Sequence, residues 1–305
     1  MSANLATWAW IPITIWAAFA QTLRNAAQRH LTSALGTLGA TLVRFLYGLP
    51  FAALWLAVVT EMTGVAAPAL SVSSLLWGAL GALAQLVATA LLLRAMEERN
   101  FTLAVAWSKT EIVQVAVFAL ALLGDPLTLG LAASVVLGTV GVMLSSAKGG
   151  GWRSLLSGWT SRAALIGLAS GAAFAVSTVG YRGAALALLP TPALIAAATV
   201  LLYAQTLQTV LLGGWLLARD RAVIAAVFRE WRASGVAGFM GAAASAGWFT
   251  AMAMEPVANV RTVGLVELIF SYAVSLRLFK ERLSGLERAG LVLVVLGMLG
   301  ILNLR

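Results

Sequence analysis

Cysteine is absent from the 305 residues, and histidine occurs once, as His30 beside Arg29. Without cysteine the chain has neither a disulfide framework nor thiolate ligands, and a zinc or iron site needs several ligands of the cysteine or histidine type. The sequence therefore predicts no metal and no cofactor. The single histidine, expected in a loop, carries no site of its own.

Charge is also scarce. Only 10% of the residues are charged and 61% are hydrophobic, with a mean hydropathy of +0.94. A soluble domain has roughly 25% charged and 45–50% apolar residues. A soluble chain of this composition would expose far too much apolar surface to water, whereas lipid is as apolar as the side chains that face it. This composition is typical of an integral membrane protein.

Ten apolar segments of spanning length follow one another along the chain, separated by short polar breaks. They cover residues 6–23, 34–60, 74–95, 102–123, 128–147, 163–186, 192–217, 233–254, 258–279 and 285–303. A helix needs about 20 apolar residues to cross a bilayer, and backbone groups in lipid must be satisfied within the segment. We expect an all-α integral membrane protein with ten transmembrane helices. Pro12 and Pro50 fall inside spans, where proline is expected to bend a helix.

Basic residues are distributed unevenly between the two sets of alternating loops. One set carries Arg24, Arg29, Arg94, Arg99, Lys148, Arg153, Arg162, Arg219, Arg221, Arg229, Arg232, Arg277, Lys280, Arg282 and Arg288. The other set, which includes both termini, holds Arg182, Arg261 and Arg305. Positive residues stay cytoplasmic, so we expect a multi-pass protein of the bacterial inner membrane with both termini in the periplasm. Because the charges are spread over five loops, we expect no nucleic-acid partner.

The chain matches itself when it is shifted by 156 residues. The shift places Glu111 on Glu267, and the acid-centred turn at Asp125 falls on the turn at Glu281. These matches carry weight because acids are scarce in this chain. A repeat of five helices is odd-numbered, so its two copies, residues 1–150 and 151–305, must enter the membrane in opposite orientations. Inverted repeats around a central cavity are typical of secondary transporters that work by alternating access.

The same residues carry a family resemblance. Glu111 to Thr128 (EIVQVAVFALALLGDPLT), followed by LGTVGVML, resembles an EamA-type half of the drug/metabolite transporter (DMT) superfamily, and Glu267 to Ser284, followed by LGMLGIL, repeats it. Ile112 and Leu268 stand where the family usually has proline, and Lys280 stands where it has glycine. The resemblance implies a ten-helix exporter of amino acids and related metabolites, nearest the aromatic amino acid exporters.

Four ionisable residues lie deep inside the predicted spans, away from the span ends, namely Arg44, Lys109, Glu111 and Glu267. Charges in a membrane are costly, and they usually pair or face a cavity. Lys109 and Glu111 are two residues apart on one helix and cannot pair with each other. The glutamates either form ion pairs with Arg44 or Lys109 that hold the two halves together, or couple transport to protons, since burial favours the neutral form of a carboxyl. We favour the structural role, because both copies keep the glutamate.

Mixed polar and aromatic stripes on several spans are candidates for a solute cavity. Trp107, Glu111 and Gln114, for example, share one face at helical spacing. Such faces suit an amphipathic solute, although helix–helix packing is an alternative because Ser and Thr are routine there. The predicted cavity residues are Trp16, Gln85, Thr89, Trp107, Glu111, Gln114, Phe174, Ser177, Ser245 and Trp248.

We expect a transporter and not an enzyme. A membrane serine protease would need a histidine in a span, an intramembrane aspartyl protease would need two aspartates there, and no Walker-type loop is present. The alternatives that remain open are an intramembrane lipid-modifying enzyme and a lipid flippase. The expected partners are a small solute, an amino acid or related metabolite, and membrane lipid. The glycine-rich helix faces are the only oligomerisation signal, so we expect a monomer.

Overall fold

The computed structural model describes residues 8–96, 106–146, 160–279 and 284–303, and within these ranges the chain is all-α without strands. Its helices are α1 (Trp10–Leu46), α2 (Leu49–Thr63), α3 (Val72–Met96), α4 (Glu111–Leu123), α5 (Leu129–Ser146), α6 (Arg162–Leu186), α7 (Ala193–Arg219), α8 (Arg221–Arg229), α9 (Trp231–Met254), α10 (Val257–Val263), α11 (Val266–Phe279) and α12 (Gly285–Leu302). Eight segments of the described chain are long and apolar enough to cross a membrane. The protein is therefore a multi-pass integral membrane protein.

The predicted spans 6–23 and 258–279 are not among those eight segments. The first is the beginning of α1, and the second is divided between α10 and α11.

Helix α1 continues through the loop expected at residues 24–33. It includes the backbone of His30, so the expectation of a loop there was wrong, and it is kinked instead at Gly36. Gly36 has φ 65° and ψ 176°, a left-handed backbone conformation that glycine adopts without steric cost. Hydropathy suggests a break where Arg24 and Arg29 interrupt the apolar run, but a helix can carry charged side chains wherever its surroundings accommodate them.

The second predicted span, residues 34–60, is also interrupted. Helix α1 ends at Leu46, and α2 begins at Leu49 with Pro50 in its first turn. Proline is well tolerated at this position because the first N–H groups of a helix have no intrahelical acceptor. Pro50 therefore starts a helix, whereas the sequence suggested that it bends one.

Two further predicted spans are broken at related places. A turn at residues 109–110 precedes α4, and a turn at residues 264–265 separates α10 from α11. The 156-residue shift carries the first turn to residues 265–266, which is one residue from the second turn. Hydropathy cannot reveal such breaks, because the residues on both sides of each break are apolar.

The chain forms two compact units. Unit 1 comprises Met1–Ala82 and Gly180–Met254, and unit 2 comprises Leu83–Val179 and Glu255–Arg305. Helices α3 and α6 each contribute residues to both units. These units reflect packing, whereas the predicted halves 1–150 and 151–305 reflect repetition in the sequence, and that division stays a prediction.

In unit 2, α5 and α12 pack closely against each other. The 156-residue shift carries α5 onto α12 at both ends. Gly138 lies against Gly297, and Gly141 lies against Val294. Residues 138 and 294 are equivalent under the 156-residue shift, and so are residues 141 and 297, so the repeat relates the two contacts to each other. Moving forward along α5 corresponds to moving backward along α12, so the two helices are antiparallel. The interface is therefore self-complementary, as an interface about a two-fold axis is.

We expect Gly297→Val to prevent unit 2 from folding. A Cβ at Gly297 would lie 2.8 Å from both the Gly138 nitrogen and the Ser134 carbonyl oxygen, which are backbone atoms that cannot move aside. Gly214→Val in α7 is the matched control, because nothing lies within 4 Å of its Cβ position. The measurements are the yield of monodisperse detergent-extracted protein and its Tm. A wild-type yield and Tm for Gly297→Val would contradict this packing.

In unit 1, α9 packs against both segments of α1. Gly247 lies against Ala17 and Gly238 lies against Tyr47, so these glycines are packing positions. The unit also contains α8, which hydropathy missed because the helix is only nine residues long and amphipathic. Asp220 caps α8 by accepting a hydrogen bond from the Val223 N–H at 3.3 Å.

Candidate functional site

Two ion pairs lie at the interrupted helices of unit 2. Arg261 Nη2 donates to Glu111 Oε1 at 2.5 Å, and these side chains are 22% and 12% exposed. Lys109 Nζ lies 3.7 Å from Glu267 Oε1, with side chains 36% and 21% exposed. The first pair is a short charge-assisted hydrogen bond, whereas the second has a longer distance between its charged atoms and more solvent-accessible side chains.

The interruptions determine where these acids lie. Glu111 is the first residue of α4 and Glu267 the second residue of α11, so each carboxylate lies at a helix N-terminus, where the helix dipole favours negative charge. Each glutamate pairs with a cation from the other predicted repeat. The expected Lys109–Glu267 pair is present, whereas Glu111 pairs with Arg261, which the sequence analysis assigns to a loop.

Asp125 makes a third buried polar contact in unit 2. Its Oδ2 accepts a hydrogen bond from the Val257 N–H at 3.3 Å, at the first residue of α10. On α10 itself, Asn259 donates to Glu255 Oε1 at 2.6 Å. The sequence placed Asp125 at a turn, but nothing in the sequence indicated a contact 132 residues further along the chain.

The turn at residues 109–110 divides the predicted stripe, leaving Trp107 before the turn and Glu111 and Gln114 on α4. Trp107 packs with Ala106, Ala164 and Met143, and its buried indole N–H has no hydrogen-bond partner among the described residues. Gln114 Nε2 donates to the Thr110 hydroxyl at 2.9 Å and approaches the Leu168 carbonyl oxygen at 3.5 Å. Both side chains therefore make packing or hydrogen-bond contacts within unit 2.

The other predicted residues of unit 2 lie on α3 and α6. The Thr89 hydroxyl donates to the Gln85 carbonyl oxygen at 2.8 Å, so it is satisfied within its own helix. Gln85 and Phe174 are half-buried, and Ser177 is buried. The described contacts favour helix packing for Thr89 and leave Gln85, Phe174 and Ser177 as predicted cavity residues.

Unit 1 contains a cavity of about 460 Å³ between α1, α2 and α9. Its walls include Trp16, Phe51, Trp55 and Phe239, and the rings of Phe51 and Phe239 meet edge to face at 5.1 Å. Its rim is open, with Trp16 52% and Leu54 59% exposed. We call this open, apolar pocket the lateral cavity.

Trp16 is the predicted cavity residue that lines this cavity. Ser245 and Trp248 lie on a different face of α9 from Ala246, which does line it, and both are buried. Trp248 Nε1 donates to Gln21 Oε1 at 3.0 Å, which ties α9 to α1. The predicted residues of unit 1 therefore divide between the lateral cavity and the interior of the unit.

Many of the arginines predicted to lie in loops lie within helices instead, among them Arg24, Arg182 and Arg261. Arg24 is buried in α1 and donates to Asn25 Oδ1 at 2.8 Å and 3.2 Å. Arg182 is buried in α6 and donates to the Met252 carbonyl oxygen at 2.6 Å. Arg261 lies in α10. Charge alone therefore did not mark a loop, because a partner oxygen can satisfy an arginine inside a span.

Arg44 lies in unit 1, where its Nε is buried without a hydrogen-bond partner and no carboxylate of the described residues forms an ion pair with it. The side chains of Arg44 and Arg24 both lie against Gly241, each 3.4 Å from its Cβ position. On α7, Gln205 Oε1 and Thr209 Oγ1 are likewise buried without partners among the described residues. The sequence gave no signal for Gln205 or Thr209, since polar residues are common in membrane helices.

Comparison with known proteins identifies the fold and nothing more. No protein-family model matches the chain, and no curated protein matches it. One solved structure, described only as the crystal structure of a protein, superposes with a TM-score of 0.71 at 17% sequence identity, covering 100% of this chain and 97% of the other. At this identity the likeness establishes a shared fold.

Proposed function

We propose that this protein is a secondary transporter of the bacterial inner membrane that exports small organic solutes, with aromatic amino acids the favoured substrates. The observation that supports this most directly is the antiparallel, self-complementary contact between α5 and α12. Two equivalent helices that run in opposite directions about a pseudo-two-fold axis are what an inverted repeat requires. The resemblance to EamA-type halves of the DMT superfamily leads to the same proposal.

The interrupted helices give further support. In secondary transporters, breaks at corresponding positions of the two repeats are the best pointer to the region that binds the solute. Here both breaks precede a glutamate, and each glutamate pairs with a cation from the other repeat. A reciprocal pair of contacts of this kind links the two copies and can be exchanged when one copy rocks against the other.

The charge distribution supports a periplasmic location for both termini. Arg182 and Arg261 lie within helices, and so do members of the richer set such as Arg24, Arg221 and Arg229. The excess of basic residues at one set of span ends therefore remains the argument for the position of the termini. The ten-helix arrangement remains part of this proposal.

The lateral cavity of unit 1 is the observation that favours the alternative, a lipid flippase or lipid-modifying enzyme. Its aromatic walls and its open, apolar rim would accept an acyl chain as readily as an aromatic solute. A flippase moves intact lipid between leaflets, an enzyme changes its substrate chemically, and a transporter moves intact solute.

The test is uptake of labelled phenylalanine, threonine and a cationic dye into vesicles reconstituted with the purified full-length chain. Each is measured with and without a proton gradient, and chromatography checks that the solute remains intact. We expect selective movement of phenylalanine at least about tenfold above protein-free vesicles. A fluorescent phospholipid in the same vesicles reports on flipping.

Movement of the phospholipid without movement of any of the three solutes would favour the flippase and overturn the exporter proposal. Chemical conversion of a solute or lipid would favour an enzyme. Equal movement of threonine and phenylalanine would keep the transporter and remove the aromatic preference.

A further inference from the structure

We propose that Arg44 binds the carboxylate of the transported solute, at an anion subsite inside unit 1. This inference rests on the proposed transport function. It begins from the most unusual polar group of the unit, a guanidinium within the membrane that has neither an ion-pair partner nor a hydrogen bond to its buried Nε among the described residues. The Arg44 side chain is half-buried, so its Nε is enclosed while the group stays within reach of a solute. An ionisable group of this kind within a membrane normally marks a functional site.

The position of Arg44 along the membrane suits a solute site. Gly241, against which the Arg44 and Arg24 side chains lie, is the eleventh of the 24 residues of α9 and thus close to its middle. Transported solutes bind near the bilayer midplane. Because Gly241 has no side chain, α9 leaves the arginine stems room at this level.

Helix α7 supplies unpaired polar groups at the same level. Gly48 lies against Gln205, and Gly213 lies against Leu42, so α7 runs antiparallel to this part of the chain. Thr209 lies between the two contacts, one helical turn after Gln205, and therefore comes level with residues 44–46. The buried Oε1 of Gln205 and Oγ1 of Thr209 both lack hydrogen-bond partners in the part of the chain that the structure describes. Several unsatisfied polar atoms in one buried region are rare in native proteins and indicate a polar ligand.

Neighbouring groups would hold the rest of an amphipathic molecule. The Phe45 ring centroid lies 5.4 Å from Arg44 Cζ, and the ring of Tyr181, also in unit 1, packs on Phe249 at 4.4 Å. Gln208 Nε2 donates to the Tyr181 hydroxyl at 3.0 Å, which orients the phenol. The region therefore places aromatic surface beside a cation.

The charge of the site favours a monoanion. Arg44 supplies one guanidinium, whose planar donors match a carboxylate in bidentate geometry. Arg24 is also charged, but its Nε and Nη2 already donate to Asn25 Oδ1, and the groups of α7 without partners among the described residues are neutral. A phosphate would need more free donors than the single Arg44 guanidinium provides. The lateral cavity is not this site, because its α9 lining does not include Gly241 and Arg44 is not among its walls.

The test uses purified full-length protein in detergent and measures Tm with 3-phenylpropionate, its neutral amide, phenylalanine, or inorganic phosphate. We expect the two carboxylates to raise the Tm of the wild type, and the amide and phosphate to leave it unchanged. In Arg44→Met this ligand response is lost, while the Tm of the ligand-free protein rises by about 2–4 °C because an unpaired buried charge has been removed. Arg44→Lys should weaken carboxylate binding at least about tenfold. Arg221→Gln, at the exposed start of α8, is the control and should behave as the wild type.

The proposal requires both results for Arg44→Met. A lower Tm for the ligand-free variant would mean that Arg44 has a structural partner, and a retained carboxylate response would mean that the anion binds elsewhere; either result overturns the proposal. A wild type that responds equally to the amide, or to phosphate alone, or to no carboxylate, overturns it too. Because binding is measured without vesicles, loss of the anion subsite and failure of transport are separate results.

Discussion

Replacing Glu111 by alanine is expected to destabilise the protein by about 3–5 kcal/mol, because the change removes the carboxylate from a largely buried ion pair and leaves the charge of Arg261 in the interior of unit 2. At this size a lowering of Tm on the order of 10 °C is expected. The measurement is thermal unfolding of the detergent-extracted protein. Glu61→Ala is the matched control, since Glu61 is an exposed glutamate near the end of α2.

A double substitution separates loss of the pair from loss of one charge. In Glu111→Met with Arg261→Met, neither charge remains, and two apolar side chains of similar volume fill the site. The double variant should therefore recover most of the stability that either single substitution loses. If the two single losses simply added together, the two side chains would not form the pair that the 2.5 Å distance indicates.

The two glutamates occupy equivalent positions but differ in how tightly they are held. The Glu111 carboxylate is the less exposed one and accepts a short hydrogen bond, whereas Glu267 faces Lys109 across 3.7 Å with both side chains partly accessible. An exposed ion pair stabilises a protein by at most about 1 kcal/mol, and breaking a buried pair costs more. The Lys109–Glu267 contact is therefore the one that can be lost at the lower cost, and the Glu111–Arg261 contact is the one that must persist.

The sequence predicted those parts of the fold that depend on local pattern. The apolar runs indicated membrane helices, and the 156-residue shift predicted that α5 and α12 are equivalent helices of a repeat. The breaks at residues 109–110 and 264–265 were not predicted. A hydropathy pattern indicates whether a segment is apolar enough to lie in lipid, but it does not show where the backbone hydrogen bonds of a helix are interrupted.

The candidate site was predicted only in part, for a related reason. Glu111, Glu267, Lys109 and Arg44 were recognisable because ionisable groups are rare in membrane helices. Their partners were not, since Arg261 lies 150 residues from Glu111 and comes next to it only through tertiary packing. Gln205 and Thr209 look like ordinary polar residues of a helix until the structure places them level with Arg44.

Glu267→Gln is expected to abolish the component of solute movement that a pH gradient drives, with a loss of at least about tenfold and little change in Tm. If export is coupled to protons, one acid must give up its ion-pair partner and take up a proton during the cycle. The looser pair allows this, and glutamine keeps the size of the side chain but cannot carry the proton. The measurement is uptake into reconstituted vesicles at several pH gradients, with Glu61→Gln as control.

Lys109→Gln distinguishes a proton-carrying acid from an acid that only needs its ion pair. Lys109→Gln removes the ion pair but leaves the Glu267 carboxyl group in place. Gradient-driven movement should then persist, while the Glu111–Arg261 pair remains. If Lys109→Gln and Glu267→Gln both lost the gradient-driven component, the pair itself would be needed and not the proton. If neither lost it, Glu267 would be a structural residue, as the sequence analysis favoured, and coupling would lie elsewhere.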